Sequence, residues 1–222
     1  MFLTADDFNL IPYAIPNLSL VSNSFQDYVD DCERVTLKKL LGVELYYEFI
    51  EALENMPDEW DATITYGIGT RVVYGYDIWE SNADSVGEIP AVGGAWTLIE
   101  EDNKWLMLRD GGTFTWRETC CQGDYATEWL GVADMLKPYV FYSWLRDTWD
   151  NHSGIGVVVS NAENAEKIAP ARRLVDAYTA FSEKANVMLS FIQSEAYLDP
   201  AVYNCCSCWP GVFPGSMNTF NL

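Results

Sequence analysis

The side chains that could do covalent chemistry are few and poorly grouped for it. The only histidine, His152, follows Asp150 and Asn151. No Gly-x-Ser-x-Gly elbow leads into a helix, so nucleophilic catalysis finds no support. The cysteines are Cys32, Cys120, Cys121, Cys205, Cys206 and Cys208. Neither the adjacent pair nor the C-terminal cluster has the spacing of a zinc site, so no metal is expected and reduced thiols are the default. Phosphate-binding glycine loops are missing as well, and no cofactor is expected. Adjacent acids occur at Asp30-Asp31, Asp58-Glu59 and Glu100-Glu101-Asp102, but a chain with 33 acidic and 13 basic residues produces such runs by chance. A glycosidase needs two carboxylates facing each other across a cleft, which spacing along a chain cannot supply. The expectation is a protein of contacts, not an enzyme.

The residues that stand out for contact chemistry are aromatic. Five of the nine tryptophans, Trp60, Trp79, Trp96, Trp105 and Trp116, fall in one stretch that also holds eight glycines from Gly67 to Gly112. Short Tyr/Val/Trp runs punctuated by glycine predict strands and turns at 63–66, 71–74, 77–80 and 96–100. A further hairpin is expected from 105–108 and 113–116, joined by Arg109-Asp110-Gly111-Gly112.

Helices are expected on both sides. Residues 2–22 read as an extended lead-in. Ser24 is a candidate N-cap, and Phe25, Val29, Cys32 and Val35 recur at helical spacing. Leu37 to Leu41 continue as a second run, Gly42 breaks it, and Leu45, Phe49 and Leu53 extend a stripe that Pro57 stops. Helical character returns near Tyr125, with Trp129, Val132, Leu136, Val140 and Trp144 on one face and Pro138 at a first turn or kink. After His152 comes a strand-like Gly154–Val159 and a polar loop. Pro170 opens a last helix with Leu174, Tyr178, Phe181, Ala185, Met188 and Ile192 as its stripe. The tail after Asp199 holds three prolines and is expected to be irregular.

Charge narrows the partners. A net charge of −20 opposes a surface that grips phosphates, which needs lysine and arginine clusters. No run reaches the length of a membrane span: the most apolar stretch, 131–145, is broken by Asp134, Lys137 and Pro138. The N-terminal residues lack a basic then apolar leader. A soluble cytosolic product is expected.

Two resemblances follow from these residues. Tyr66-x-x-Gly69-x-x-Val72-x-Tyr74, then Trp79-Glu80, Asn82, Gly87, Pro90 and Trp96, resembles the small chitin-binding type of carbohydrate-binding module over Tyr66 to Ile99. Thr70 stands where that pattern has an acid, and Gly75-Tyr76 places the hairpin glycine one position early. The resemblance implies Tyr74, Tyr76, Trp79 and Trp96 as contacts for a glycan, whose faces stack on aromatic rings, or for a protein. Separately, Asp27-x-x-Asp30-Asp31, Leu37-Lys38-Lys39-Leu40-Leu41-Gly42 and Leu45-Tyr46 resemble the opening of phage head–tail connector (adaptor, head-completion) proteins. The likeness is to those of phages infecting Bacteroidetes-type hosts. Leu136-Lys137-Pro138-Tyr139 to Trp144, the strand-like Gly156–Asn161 and Ala171 to Asp176 resemble their second part in the same order.

The connector resemblance implies a virion protein of the neck, assembled in the host cytoplasm. It would form a ring, usually of about twelve copies, with heterologous contacts between neighbours. Its partners would be its own copies, the portal protein and a tail or stopper protein, with genomic DNA passing without specific binding and no membrane involved. The fold expected is α+β: a mainly helical core of three to four helices, split as 1–57 and 119–198, with an antiparallel β module inserted at 58–118 and an irregular tail at 199–222. Ile155, Val157, Val158 and Val159 are the expected inter-subunit contact, because an apolar strand edge has no obvious partner in a helical fold. The alternative function is carbohydrate binding through the aromatic module.

Overall fold

The structure, a computed structural model, describes residues 1–15, 22–117, 124–152 and 170–193. Its class is α+β, as the sequence patterning predicts: five α-helices with small antiparallel sheets among the described residues. The lead-in is not simply extended. Ala5–Phe8 form a 3-10 turn that buries Phe8 edge-on against Phe25, with ring centroids 5.2 Å apart. The first helix, α1, runs unbroken over Ser22–Leu41, so Ser24 lies inside it. Phe25, Val29, Leu37, Leu40 and Leu41 form its buried face. Val35, expected in that stripe, is 44% exposed. Successive steps of 3.6 residues carry it past the edge of the apolar arc. Gly42 then turns the chain at φ 79° into α2, Val43–Glu54, whose Leu45 and Phe49 are buried. That positive φ is open to glycine at little cost.

Glu33 joins the N-terminus to α1. It is 4% exposed and accepts hydrogen bonds from the backbone N–H of Phe2 (3.1 Å) and Leu3 (2.6 Å). Burial raises its pKa above the ordinary 4.5, against the lowering effect of those two donors. The folded chain therefore binds this proton more tightly than the unfolded chain. The stabilising contribution is complete below pH 4.5 and is lost as pH rises through the raised folded value. Urea unfolding of wild type and Glu33→Gln across pH 4.5–7 should show the wild type losing stability relative to the variant as pH rises. A constant difference would refute the assignment.

The β module comes next. Strands β1 (Thr65–Tyr66) and β4 (Ser85–Val86) pair, and β2 (Arg71–Tyr74), β3 (Asp77–Ser81) and β5 (Trp96–Glu100) form a second antiparallel sheet in the order β2-β3-β5. Gly75, at φ 68°, makes the β2–β3 turn. The module has its own core of Tyr66, Val72, Trp79 and Trp96, flanked by Trp60, Ala95 and Leu98.

Beyond β5 the structure departs from the expected hairpin. Residues 105–108 are helical, within α3, Lys104–Asp110. The Asn103 side chain caps this helix, accepting from the N–H of Trp105 (3.0 Å) and Leu106 (3.1 Å). Strand β6, Gly112–Arg117, pairs instead with β7, Asp124–Trp129, in the register Gly112↔Trp129. Tyr125 therefore lies in a strand, and the helix expected to begin near it, α4, is Gly131–His152. Leu108, Phe114 and Trp129 belong to the larger core with the helices. The apolar cluster of the module thus ends at Leu98, and the segment up to 118 is divided between two cores.

The last helix, α5, Pro170–Gln193, packs antiparallel to α4. Tyr142 meets Tyr178 at 5.2 Å, Tyr139 meets Phe181 at 4.5 Å, and Lys184 reaches Asp134. Pro138 is tolerated inside α4 for a visible reason. Its missing N–H frees the carbonyl four residues back, that of Asp134. Lys184 Nζ donates to this carbonyl oxygen at 3.2 Å and pairs with the Asp134 carboxylate at 2.6 Å.

Candidate functional site

The four aromatic residues expected to make contacts do not share one surface. Trp79 and Trp96 are 6% and 2% exposed and form the module's core, which removes both from any stacking platform. Trp96 Nε1 donates to the Glu88 carbonyl at 3.0 Å, and its ring meets Tyr66 edge-on at 5.4 Å. A module this small has few large side chains to bury, so its tryptophans go inward with Tyr66. Tyr74 and Tyr76 stay exposed on either side of Gly75. The four valine and isoleucine positions of 155–159 lie outside the described residues.

Tyr74 borders a small cleft between the module and α3. The cleft, about 270 Å³, is lined by Glu59, Trp60, Val73, Tyr74, Gly75, Arg109 and Asp110. Trp60 packs edge-on to Tyr74 with centroids 5.6 Å apart. Arg109 forms a two-pronged bond to Asp110, 2.7 Å at each nitrogen, and lies 3.8 Å from Glu59. The hydrogen bonds to Asp110 raise its pKa further, so the guanidinium stays charged but already engaged. The arrangement suits a modest polar contact.

A larger groove, about 520 Å³, runs between α1 and α4. Its α1 wall is a ridge at four-residue spacing, Asp27, Asp31, Val35 and Lys39. Its floor holds Cys32, Thr36, Tyr139 and Ser143, and Arg146 stands on the α4 side. Tyr28 donates to Asp147 at 2.9 Å and ties the two helices at one end. Burial, with that bond to the carboxylate, raises the Tyr28 pKa. Burial also pushes the Cys32 thiol up to about 11. A thiol held protonated at neutral pH is a poor nucleophile. The groove offers hydrogen bonds, one exposed aliphatic side chain and charges of both signs, which is the chemistry of a protein contact.

The α1 ridge is a contact surface that the sequence pattern does not single out. Its signal is four residues at i, i+4, i+8 and i+12, but by spacing Val35 fits the buried stripe as well. Among the described residues no group of His, Cys, Asp and Glu is arranged to hold a metal ion. No protein-family model matches the sequence, no curated protein is significantly similar to it, and no solved structure matches its fold.

Proposed function

We propose that this chain is a structural protein of a phage virion. It forms a ring that joins the portal to the tail or neck and lets DNA pass. One observation carries the reading. The two blocks that resemble connector proteins, 27–46 and 136–176, are far apart in sequence, yet their helices share one hydrophobic core. Phe25 of α1 meets Trp144 of α4 at 4.9 Å, and Tyr139 of α4 meets Phe181 of α5 at 4.5 Å. The β module between them carries a separate apolar cluster, as expected of an insertion that leaves its host core intact.

Charge supports the same role. A net charge of −20 gives a channel wall that repels phosphates and does not hold passing DNA. The partners are other copies of the chain, the portal protein and a tail or stopper protein. The place of action is the virion neck, reached from the host cytoplasm. No described helix is long and apolar enough to cross a membrane.

Electron microscopy of the purified protein, alone and mixed with portal, tests the proposal. Closed rings of about twelve copies are expected, since heterologous contacts close by rotation. Strictly monomeric particles in the presence of portal would overturn it. The exposed Tyr74 and Tyr76 favour a second, weaker reading, a glycan contact, and retention on chitin would distinguish it.

A further inference from the structure

We infer that the ring contact is made by the outer face of α5 of one copy, around Arg172, Val175 and Glu183, lying along the α1 ridge Asp31-Val35-Lys39 of the next. This rests on the ring reading and specifies its interface.

Among the described residues of α1 and α5, the exposed large hydrophobic side chains are Val35 and Val175, one on each helix, 44% and 42% exposed. Each sits between charges of opposite sign, and the order is reversed between the helices. Along α1 the exposed side chains run acid to base, from Asp31 through Arg34 and Val35 to Lys39. Along α5 they run base to acid, from Arg172 and Arg173 through Val175 and Asp176 to Glu183.

A parallel alignment of the two helices brings Asp31 to Arg172 at one end and Lys39 toward Glu183 at the other. With Arg172 set against Asp31, Val35 lies about 6 Å along α1 and Val175 about 4.5 Å along α5 at 1.5 Å per residue. Lys39 then lies about 12 Å along and Glu183 about 16 Å, a gap a lysine side chain spans. The partners are available. Asp31 pairs with Arg34, and Arg172 with Asp176 at 3.9 Å, as exposed neighbours within one helix. Such pairs contribute little and exchange readily. Lys39 and Arg173 form no ion pair among the described residues, in a chain where acids outnumber bases 33 to 13. The two faces lie on different helices of the subunit, so the contact is heterologous and propagates around a ring. Complementary charge of this kind sets register and excludes the antiparallel alternative, which would oppose like charges.

The test is ring formation by the full-length chain, counted by mass photometry and electron microscopy under the conditions where wild type assembles. Asp31→Lys and Arg172→Glu should each lower the ring fraction at least about tenfold. The double variant, which restores the pairing with reversed sign, should recover most of it. Arg71→Glu, the same charge change on the β module, should leave rings intact. All three side chains are exposed, and circular dichroism checks that each variant folds, Arg71→Glu in particular because it sets an acid opposite Glu80. Rings that persist in both single variants, or that the double variant fails to restore, overturn this interface and leave the ring reading standing. The same loss in Arg71→Glu would assign the effect to net charge and overturn it too. A wild type that never forms rings, even with portal, removes both.

Discussion

Trp96→Ala unfolds the β module and leaves the helical core folded. Trp96 is among the largest fully buried side chains of the protein, at 2% exposure. It belongs to a cluster of four buried residues, with Tyr66, Val72 and Trp79. Truncating a buried tryptophan costs about 3–5 kcal/mol, through lost transfer energy and the cavity left behind. A module this small has little surplus to absorb such a loss. The hydrogen bond from Trp96 Nε1 to the Glu88 carbonyl goes as well, leaving a half-buried acceptor without its donor.

The damage should stop at the module because its apolar cluster is separate from the larger one. What joins the two is mostly polar: the Asn103 N–H donates to the Tyr76 carbonyl at 2.7 Å, and Arg109 approaches Glu59. Hydrogen exchange read by mass spectrometry should show amides of 65–100 losing protection while those of α1, α4 and α5 keep theirs. Equal loss of protection in the helices would mean that the module and core fold as one unit. The same division governs any deletion. Removing Trp60 to Thr115 would take Leu108 and Phe114 out of the larger core, whereas a cut ending before Asn103 spares them.

Gly131→Ala destabilises the helical core by about 4 kcal/mol, well beyond the usual range for adding one methyl group. Gly131 opens α4 at φ 88°. A Cβ placed there would lie 2.6 Å from the Arg109 carbonyl oxygen and 2.8 Å from the Asp110 carbonyl carbon. Gly111, at φ 108°, faces it from the end of α3, where a Cβ would lie 2.3 Å from the Trp129 carbonyl oxygen. The chain leaving α3 and the chain entering α4 therefore run backbone to backbone. This approach sets α3 against α4 and lets Trp129 Nε1 donate to the Leu108 carbonyl at 2.9 Å.

Backbone atoms cannot swing aside as a side-chain tip can, so the strain spreads into the packing of two helices. The left-handed conformation adds about 1–2 kcal/mol for any residue with a Cβ. Gly69→Ala separates the two contributions, because Gly69 has φ 81° and open space around it. Hydrogen exchange, read in the helical core for the Gly131 variant and in the β module for the Gly69 variant, should show the Gly131 substitution losing several times more stability than the Gly69 substitution. Equal losses would place the cost in backbone angle alone and dismiss the close approach.

Much of the fold was legible because it is encoded locally. The stripe Leu174, Tyr178, Phe181, Ala185, Met188 and Ile192 marks α5, and each of these residues is buried or packs on the core. Val72, Trp79 and Trp96 lie in strands where Val/Tyr/Trp runs between glycines predicted them. The errors fall where periodicity is silent. Trp105-Leu106-Met107-Leu108 is an apolar run too short to show a period, and strand and helix fit it equally. The cap from Asn103 decides for helix. Tyr125 to Trp129 fit the period of the following helix, but Gly131 separates the two and these residues pair with β6.

The candidate site was less legible. Alternation along a strand says which side chains share a face, not which face will be covered. Trp79 and Trp96 were equally compatible with a stacking platform and with a core until the partners Tyr66 and Val72 were in place. On α1 the spacing of Val35 from Val29 and Cys32 fits a buried stripe, yet no described helix covers that edge and Val35 faces the groove.

The charge, the four long helices and the aromatic sheet between them are written in the local sequence, apart from the start of α4. These depend on residues within a turn or two of one another, so short-range sterics and apolar periodicity suffice. Which surfaces remain open depends on how the elements pack. Lys184 answers the carbonyl freed by Pro138 from 50 residues away, Phe8 fills the space beside Phe25, and the two valines of α1 and α5 are left uncovered. Burial is a property of partners brought together by chain closure, and no local spacing records which partners will arrive.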